Sequence, residues 1–264
     1  DVPEIRIGLG SCCMARGSGK VMDAFQDAVA HMSKPVAVRR VGCVGMCHQT
    51  PMVEIVVPGA VNALYARVMP DDAEAIVARH FPRPAFPGRA RTGIRQWLRA
   101  LLTGNHRGIR RAIALDGAMP EIAAFRGRQC RLAMGLSDTI DPLDLAAYRH
   151  CGGFSAIDRC LAGMKPDAVI ARIIDSGLRG RGGAGFPTGR KWKLVKQAPG
   201  PVKYVICNGD EGDPGAYMDR MLLESVPFRI IEGMLVAMYS VGAREGIFYI
   251  RAEYPLAVAR VRAA

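Results

Sequence analysis

The sequence lacks an apolar run long enough to cross a membrane, and its start lacks the basic and apolar regions of a signal peptide. The first residues, DVPEIRIGLG, begin on a charge and pass directly into a strand-like segment. We therefore expect a cytoplasmic protein without direct membrane insertion, either free or peripheral on the inner face of the cell membrane. The chain begins with Asp rather than Met, which suggests a trimmed or partial polypeptide. Half of its residues are hydrophobic, a fraction that favours a folded core over disorder.

Acidic residues are scarce in one part of the chain. Residues 83–131 hold eleven Arg but only two acids, which gives +9 of the total net charge of +12. The segment also lacks the interleaved aromatic residues that stack on bases, so RNA binding is the less favoured interpretation and we expect no nucleic-acid partner. Apolar residues in 94–102 recur on one helical face. We predict a basic connector that meets an acidic partner.

Residues 4–82 read as a small α/β domain. Strand-like runs lie at 4–9, 36–41, 52–57 and 61–68, and helical periodicity lies at 19–32 and 72–81. Prolines at 82, 84 and 87 then mark a boundary. The predicted domains are 1–82, a connector at 83–131, and a second α/β domain at 132–264.

Eight cysteines in a protein expected in the cytoplasm indicate metal ligands or reduced thiols rather than disulfides. Cys12 and Cys13 lie between the first strand and helix, and Cys43 and Cys47 lie in the second loop, GCVGMCHQTP. Two loops at one edge of a sheet would bring four thiolates to a [2Fe–2S] cluster. The alternative is a set of buried thiols without metal. The remaining four, at 130, 151, 160 and 207, lack cluster spacing, and we interpret them as structural.

The stretch 177–189, GLRGRGGAGFPTG, holds six glycines in thirteen residues. Gly180, Gly182 and Gly185 match the spacing of a dinucleotide fingerprint, but that fingerprint must follow a strand and open a helix. Here a helix is predicted at 166–176, and Phe-Pro-Thr-Gly does not favour the start of a long helix. Glycine density nevertheless indicates close approach of the backbone to a ligand, and the basic residues around the loop favour an anion. A flexible linker is the alternative.

A second candidate region follows a predicted strand at 203–207. Its sequence is NGDEGDPG, and its side chains at Asn208, Asp210 and Glu211 suit hydroxyl groups of a ligand beyond the strand end. A solvated acidic turn is the alternative. Another strand begins at 246 and leads to Glu253.

Three long runs carry a family resemblance: 140–192, CNGDEGDPGAYMDR at 207–220, and FYIRAEYP at 248–255. Together they resemble the FMN- and NADH-binding subunit of respiratory complex I and its relatives in NAD-linked hydrogenases and formate dehydrogenases. Residues 4–82 resemble the thioredoxin-like [2Fe–2S] domain that accompanies such subunits. In that domain the first loop usually reads C-x4-C, and this chain has Gly8 where the first of those cysteines is expected. Cys12 is then the substitute ligand, or the domain serves in docking without a loaded cluster.

The resemblance implies a thioredoxin-like domain followed by the first part of a Rossmann-like FMN/NADH-binding domain. It implies FMN and NAD(H) as cofactors, hydride transfer without a catalytic side chain, and partner subunits with iron–sulfur and catalytic centres. A [4Fe–4S] cluster is implied only for a longer parent chain. The implied cofactor-binding residues are Gly180, Arg181, Gly182, Gly183, Ala184, Gly185, Phe186, Lys191, Asn208, Asp210, Glu211, Asp213, Tyr249 and Glu253, and the implied metal ligands are Cys12, Cys13, Cys43 and Cys47.

Two functions thus remain in view. One is an electron-input module that passes electrons from NAD(H) through FMN to iron–sulfur centres. The other is a non-catalytic fragment that docks partner subunits.

Overall fold

The computed structural model of the chain describes residues 2–43, 45–82, 109, 112–115, 122, 124–125 and 127–264. The chain forms two compact units, Asp1–Asp141 and Pro142–Ala264. This division differs from the predicted boundaries at 82 and 132, because a short strand from within the predicted connector, Ile113–Leu115, joins the sheet of the first unit. The amphipathic segment predicted at 94–102 lies outside the described residues.

The first unit is a mixed α/β structure. Its strands are β1 Glu4–Gly8, β2 Ala37–Val41, β3 Val53–Val56, β4 Ala63–Ala66 and β5 Ile113–Leu115, and its helices are α1 Ser11–Ala15, α2 Ser18–Ala30 and α3 Ala73–His80. The sheet order is β2-β1-β3-β4-β5. Strand β1 pairs with β2 in parallel, and the other pairs are antiparallel. Every strand and helix predicted in 4–82 is present.

Alternation along β1 explains why this sheet has one apolar and one charged face. Ile5 and Ile7 are fully buried in the core with Phe25 of α2. Glu4 and Arg6 point to the opposite face, where the Arg6 Nε donates to a Glu4 carboxylate oxygen at 2.9 Å. Because side chains alternate between the two faces of a strand, the sequence of β1 determines which face of the sheet α2 covers.

The second unit consists of a two-stranded sheet and a set of helices. The strands are β6 Tyr204–Gly209 and β7 Glu245–Ile250, and the helices are α4 Leu145–His150, α5 Ser155–Leu161, α6 Pro166–Asp175, α7 Thr188–Gln197, α8 Met218–Ser225, α9 Pro227–Val241 and α10 Pro255–Ala263. Strands β6 and β7 are parallel, so a crossover must join them, and α8 with α9 forms it.

One face of the β6–β7 pair packs on helices and the other is open. Met234 and Met238 of α9 approach Gly246, where a Cβ atom would lie 3.1 and 3.0 Å from their side chains. On the opposite face Ile206 and Tyr249 keep 59% and 60% of their surface exposed. Among the described residues, no helix has the length and apolar character needed to cross a bilayer.

Candidate functional site

The glycine-rich loop lies between α6 and α7 and is closed at its base. The Gly180 N–H donates to the Phe186 carbonyl at 2.9 Å, and the Thr188 N–H donates to the Leu178 carbonyl at 2.9 Å. The Arg179 guanidinium donates to the Gly185 carbonyl at 3.0 Å. These bonds hold residues 180–186 as a defined turn, which argues against the linker interpretation.

The loop leads directly into α7, and the expectation that Phe-Pro-Thr-Gly would not open a long helix was wrong. The helix begins at Thr188, immediately after Pro187, and runs for ten residues. Gly189 allows the start, because a Cβ atom at that position would lie 2.6 Å from the Ile174 backbone nitrogen of α6. The entry to the loop is helical, as predicted. The loop is therefore helix–loop–helix rather than strand–loop–helix.

The backbone of the loop is open to a ligand. Gly183 and Gly185 have φ angles of +101° and +62°, which favour glycine. A Cβ atom at Gly182, Gly183 or Gly185 would meet nothing within 4 Å. Arg181, Gly182, Gly183, Ala184 and Lys191 are all exposed. The loop therefore exposes backbone groups beside open space, and added side chains would occupy that space.

Phe186 and Arg190 form a platform beside the loop. The Phe186 ring is 39% exposed. The Arg190 guanidinium lies over that ring, 5.9 Å from its centroid. Because the ring is half open rather than packed in a core, it is available for stacking.

The second group of predicted residues lies at the carboxyl end of the β6–β7 pair. Asn208 is opposite Tyr249 in the register, and both side chains are exposed. The Asn208 carboxamide oxygen accepts from the Asp210 N–H at 2.9 Å, so the amide shapes the turn after the strand. Asp210 and Asp213 are exposed beyond the strand end. The structure thus brings Asn208, Asp210 and Tyr249 to one edge.

Glu211 has another arrangement. Its side chain is buried, and its carboxylate accepts from the backbone N–H groups of Asp219 at 3.0 Å and Arg220 at 3.3 Å, in the first turn of α8. The Tyr254 hydroxyl donates to the same carboxylate at 3.2 Å. The positive end of the helix dipole, at the helix N-terminus, stabilises the negative charge of a carboxylate. Glu211 therefore holds α8 and the strand-end loop together rather than facing outward.

Arg251 connects the ends of the two strands. This role was not predicted from the sequence, although Arg251 lies in the run FYIRAEYP. Its guanidinium donates to the Glu211 carbonyl at 2.5 Å and to the Glu253 carboxylate at 3.0 Å. The hydrogen bond from Arg251 lowers the pKa of Glu253. Glu253 is exposed in the turn after β7, which ends at Ile250, earlier than predicted.

The four predicted thiols meet in the first unit. Cys13 and Cys43 are both buried and line a cavity of about 30 Å³ together with Gly8. A hydrogen bond from Cys43 lowers the pKa of the Cys13 thiol. The same hydrogen bond, followed by burial, raises the pKa of Cys43. Burial and the neighbouring Cys43 and Cys12 raise the pKa of Cys47 to about 12.

Gly8 lies at this cluster, where a Cβ atom would be 3.5 Å from the Cys13 Sγ. The position at which the resemblance expects a cysteine thus adjoins the thiols. Among the described residues, no three His, Cys, Asp or Glu side chains are grouped so that they could hold one metal ion. Cys13 lies within electrostatic range of the other three thiols, and Cys47 lies within range of Cys43 and Cys12. A [2Fe–2S] cluster takes two protein ligands on each iron.

The other cysteines differ in exposure. Cys160 is buried, Cys207 is half-buried in β6, and Cys130 and Cys151 are exposed. Burial raises the pKa of Cys207. A packing role therefore suits Cys160 and Cys207 better than the two exposed thiols.

Residues 173–264 match the family model described as the Nuo51 FMN-binding domain. This part of the chain is related to that family. The predicted resemblance to FMN-binding subunits is confirmed for this segment, which contains the glycine loop and both strand ends.

Curated proteins similar to this chain are components of oxidoreductases. A component of the NADH-quinone oxidoreductase of Rhizobium meliloti is 45% identical over 46% of this chain and 28% of its own length. The alpha component of the NAD-reducing hydrogenase HoxS of Cupriavidus necator is 54% identical over 38% of this chain and 16% of its own. A component of the NADH-quinone oxidoreductase of Aquifex aeolicus is 47% identical over 52% of this chain and 32% of its own. The matches therefore span less than a third of each relative.

Proposed function

We propose that the unit Pro142–Ala264 binds FMN and NAD(H) and forms the electron-input part of a multisubunit oxidoreductase. The observation that carries this proposal is the glycine loop, which is closed at its base, open along its backbone and followed at once by α7. Backbone N–H groups at a helix start favour a phosphate. The match to the Nuo51 FMN-binding domain over this segment supports the same conclusion.

Each part of the site has a role under this proposal. The loop from Gly180 to Gly185 receives the FMN phosphate or ribityl chain, and Lys191 adds positive charge. Phe186 offers its ring to nicotinamide or adenine. Asn208 and Asp210 accept hydrogen bonds from ligand hydroxyl groups at the strand ends, with Asp213, Tyr249 and Glu253 around them. Glu211 positions this edge through α8.

The chemistry of the bound flavin is to accept hydride at N5 from nicotinamide C4, and the protein supplies position and electrostatics. No described side chain needs to transfer a proton in that step. Side chains of this chain bind, orient and shield the two ring systems. Partner subunits that carry iron–sulfur and terminal catalytic centres would receive the electrons, as in a complex I-like enzyme, an NAD-linked hydrogenase or a formate dehydrogenase.

The thiols of the first unit suit a [2Fe–2S] cluster in their donor chemistry. Cys12, Cys13, Cys43 and Cys47 would hold it, with Cys12 in place of the cysteine absent at Gly8. The hydrogen bond between Cys43 and Cys13 and the interactions of Cys47 with Cys43 and Cys12 support a common location for the four thiolates that such a cluster takes. Such a cluster would accept single electrons.

The flavin proposal is tested by titrating the purified chain with FMN and following the quenching of flavin fluorescence. Gly182 has open space around it, so Gly182→Val should preserve the fold and obstruct only the ligand. We expect binding to weaken about tenfold or more, the effect of roughly 1.4 kcal/mol. The matched control is Gly233→Val, at an exposed helical glycine that also has open space. Equal FMN affinity in wild type and Gly182→Val would contradict the assignment.

A further inference from the structure

A groove between α6 and α7 adjoins the glycine loop and is lined by none of the predicted cofactor-binding residues. One end is a cleft of about 540 Å³, and the other is a cleft of about 450 Å³. The two clefts share Ile174, Lys193 and Gln197, so they form one continuous groove.

The two helices that form the groove run antiparallel. Asp167, near the start of α6, pairs with Lys196, near the end of α7, at 2.6 Å. At the other end Ile174 packs on Gly189, at the start of α7. Both helices are ten residues long, so the groove is about 15 Å in length. That length matches about three turns of a third helix.

The floor of this groove is apolar and open. Ile174, Leu178 and Leu194 remain 46%, 45% and 54% exposed. The apolar side chains of an amphipathic helix usually pack in the interior of a domain. These three large apolar side chains instead lie along one groove at the surface of the unit. An apolar helix face fits such a groove through side chains spaced three and four residues apart.

The α7 rim and the loop end of the groove carry positive charge. Arg179, Arg190, Lys193 and Lys196 line the groove, and Asp167 is the one acid among the lining residues. Asp167 is already paired with Lys196. Three of these cations belong to α7 and Arg179 follows α6, so an acidic segment would gain electrostatic attraction along the α7 rim and at the loop end of the groove, whereas a basic one would be repelled.

We propose that this groove is a docking site for an acidic amphipathic helix of a partner polypeptide. Leucine-like side chains of that helix would occupy the floor between Ile174 and Leu194, and its carboxylates would meet Arg190 and Lys193. The test does not depend on flavin binding, because peptide affinity is measured without FMN. The groove contains none of the predicted cofactor-binding residues, and it shares Arg179 and Arg190 with the loop and the Phe186 platform.

The probe is a synthetic helical peptide of about three turns with leucines at i, i+3, i+4 and i+7 and glutamates flanking them. The matched control peptide has lysine in place of each glutamate. Binding to the purified chain is measured by fluorescence anisotropy. We expect a dissociation constant of about 0.1 mM or tighter for the acidic peptide, weakened by added salt. The lysine peptide should not bind.

Three variants locate the site. Arg190→Glu combined with Lys193→Glu should weaken the acidic peptide about tenfold or more, and Leu194→Asp should do the same by removing apolar contact. Arg159→Glu, at an exposed position on α5, should leave affinity unchanged. Circular dichroism verifies that each variant is folded. If Leu194→Asp does not fold, the peptide affinity of the charge-reversed variant alone tests the site.

Three results would overturn the proposal. These are equal affinity for the two peptides, absence of binding up to about 1 mM, and equal loss of affinity in Arg159→Glu and in the charge-reversed groove variant.

Discussion

At the scale of single residues, the Glu232 carboxylate accepts three hydrogen bonds. Its carboxylate accepts from the Tyr148 hydroxyl at 2.6 Å and from the backbone N–H groups of Phe154 and Ala156 at 2.9 and 3.0 Å. Phe154 itself has a φ angle of +63°, which is costly for a bulky residue. Glu232 thus fixes the start of α5 and stabilises a backbone conformation that the sequence alone disfavours.

Tyr148 gives a pH dependence that can be measured. Burial, followed by the hydrogen bond to Glu232, raises its pKa above the ordinary range. The folded state therefore keeps the phenolic proton more tightly than the unfolded state does. The resulting stabilisation is complete below about pH 10, the ordinary tyrosine pKa, and is lost as pH rises through the folded-state value.

We predict that Tyr148→Phe lowers the free energy of unfolding by about 1 to 2 kcal/mol at neutral pH through the lost hydrogen bond. Above about pH 10 the difference from wild type should shrink, by up to about 1.4 kcal/mol per pH unit, because only the wild type must release this proton on unfolding. Urea denaturation at neutral and alkaline pH measures both values. A difference that stays constant with pH would contradict the assignment to Tyr148.

At the scale of elements, α6 and α7 depend on one glycine. A Cβ atom at Gly189 would lie 2.6 Å from both the backbone nitrogen and the Cγ1 atom of Ile174. We expect Gly189→Ala to lower stability by about 1 to 3 kcal/mol, since overpacking must move a helix. Gly233→Ala, at an exposed position of α9, should raise stability by about 0.5 to 1 kcal/mol, because alanine is the better helix former. Thermal unfolding compares them, and a gain in both would disprove close packing at Gly189.

The two thiol loops form a second test at this scale. Anaerobic reconstitution with iron and sulfide should give a [2Fe–2S] signal in EPR spectra of the reduced protein, and Cys12→Ser should lose it because one of four thiolates is removed. Cys130→Ser, at an exposed thiol of the same unit, serves as the control. Persistence of a full signal in Cys12→Ser would show that Cys12 is not a ligand.

At the scale of the whole molecule, local patterns predicted most elements and tertiary contacts determined the rest. Alternating and helical periodicity located β1 and α6 correctly. The start of α7 was mispredicted, because it depends on the contact between Gly189 and Ile174 in another helix. The strand Ile113–Leu115 was missed in an arginine-rich region, since only three residues pair.

The site residues also divide into those that local sequence predicted and those that tertiary contacts determine. Composition and resemblance located the glycine loop and the Asn208–Asp210 turn, which the structure places at the surface. The direction of Glu211 could not be predicted, because its partners in α8 and at Tyr254 lie 8 to 43 residues away. The convergence of Cys12 and Cys13 with Cys43 and Cys47 was predicted from their positions after neighbouring strands.

The parallel pair β6–β7 also bears on how this protein behaves at high concentration. In the part of the chain that the structure describes, each strand has only the other as a partner, so both have an outer edge of backbone donors and acceptors. The exposed side chains beside those edges include Tyr204, Ile206, Ile247 and Tyr249. An apolar strand edge of this kind is a template for strands of other molecules. In the segment that the structure describes, the open face that carries Tyr249 to the candidate flavin site therefore adjoins two such edges.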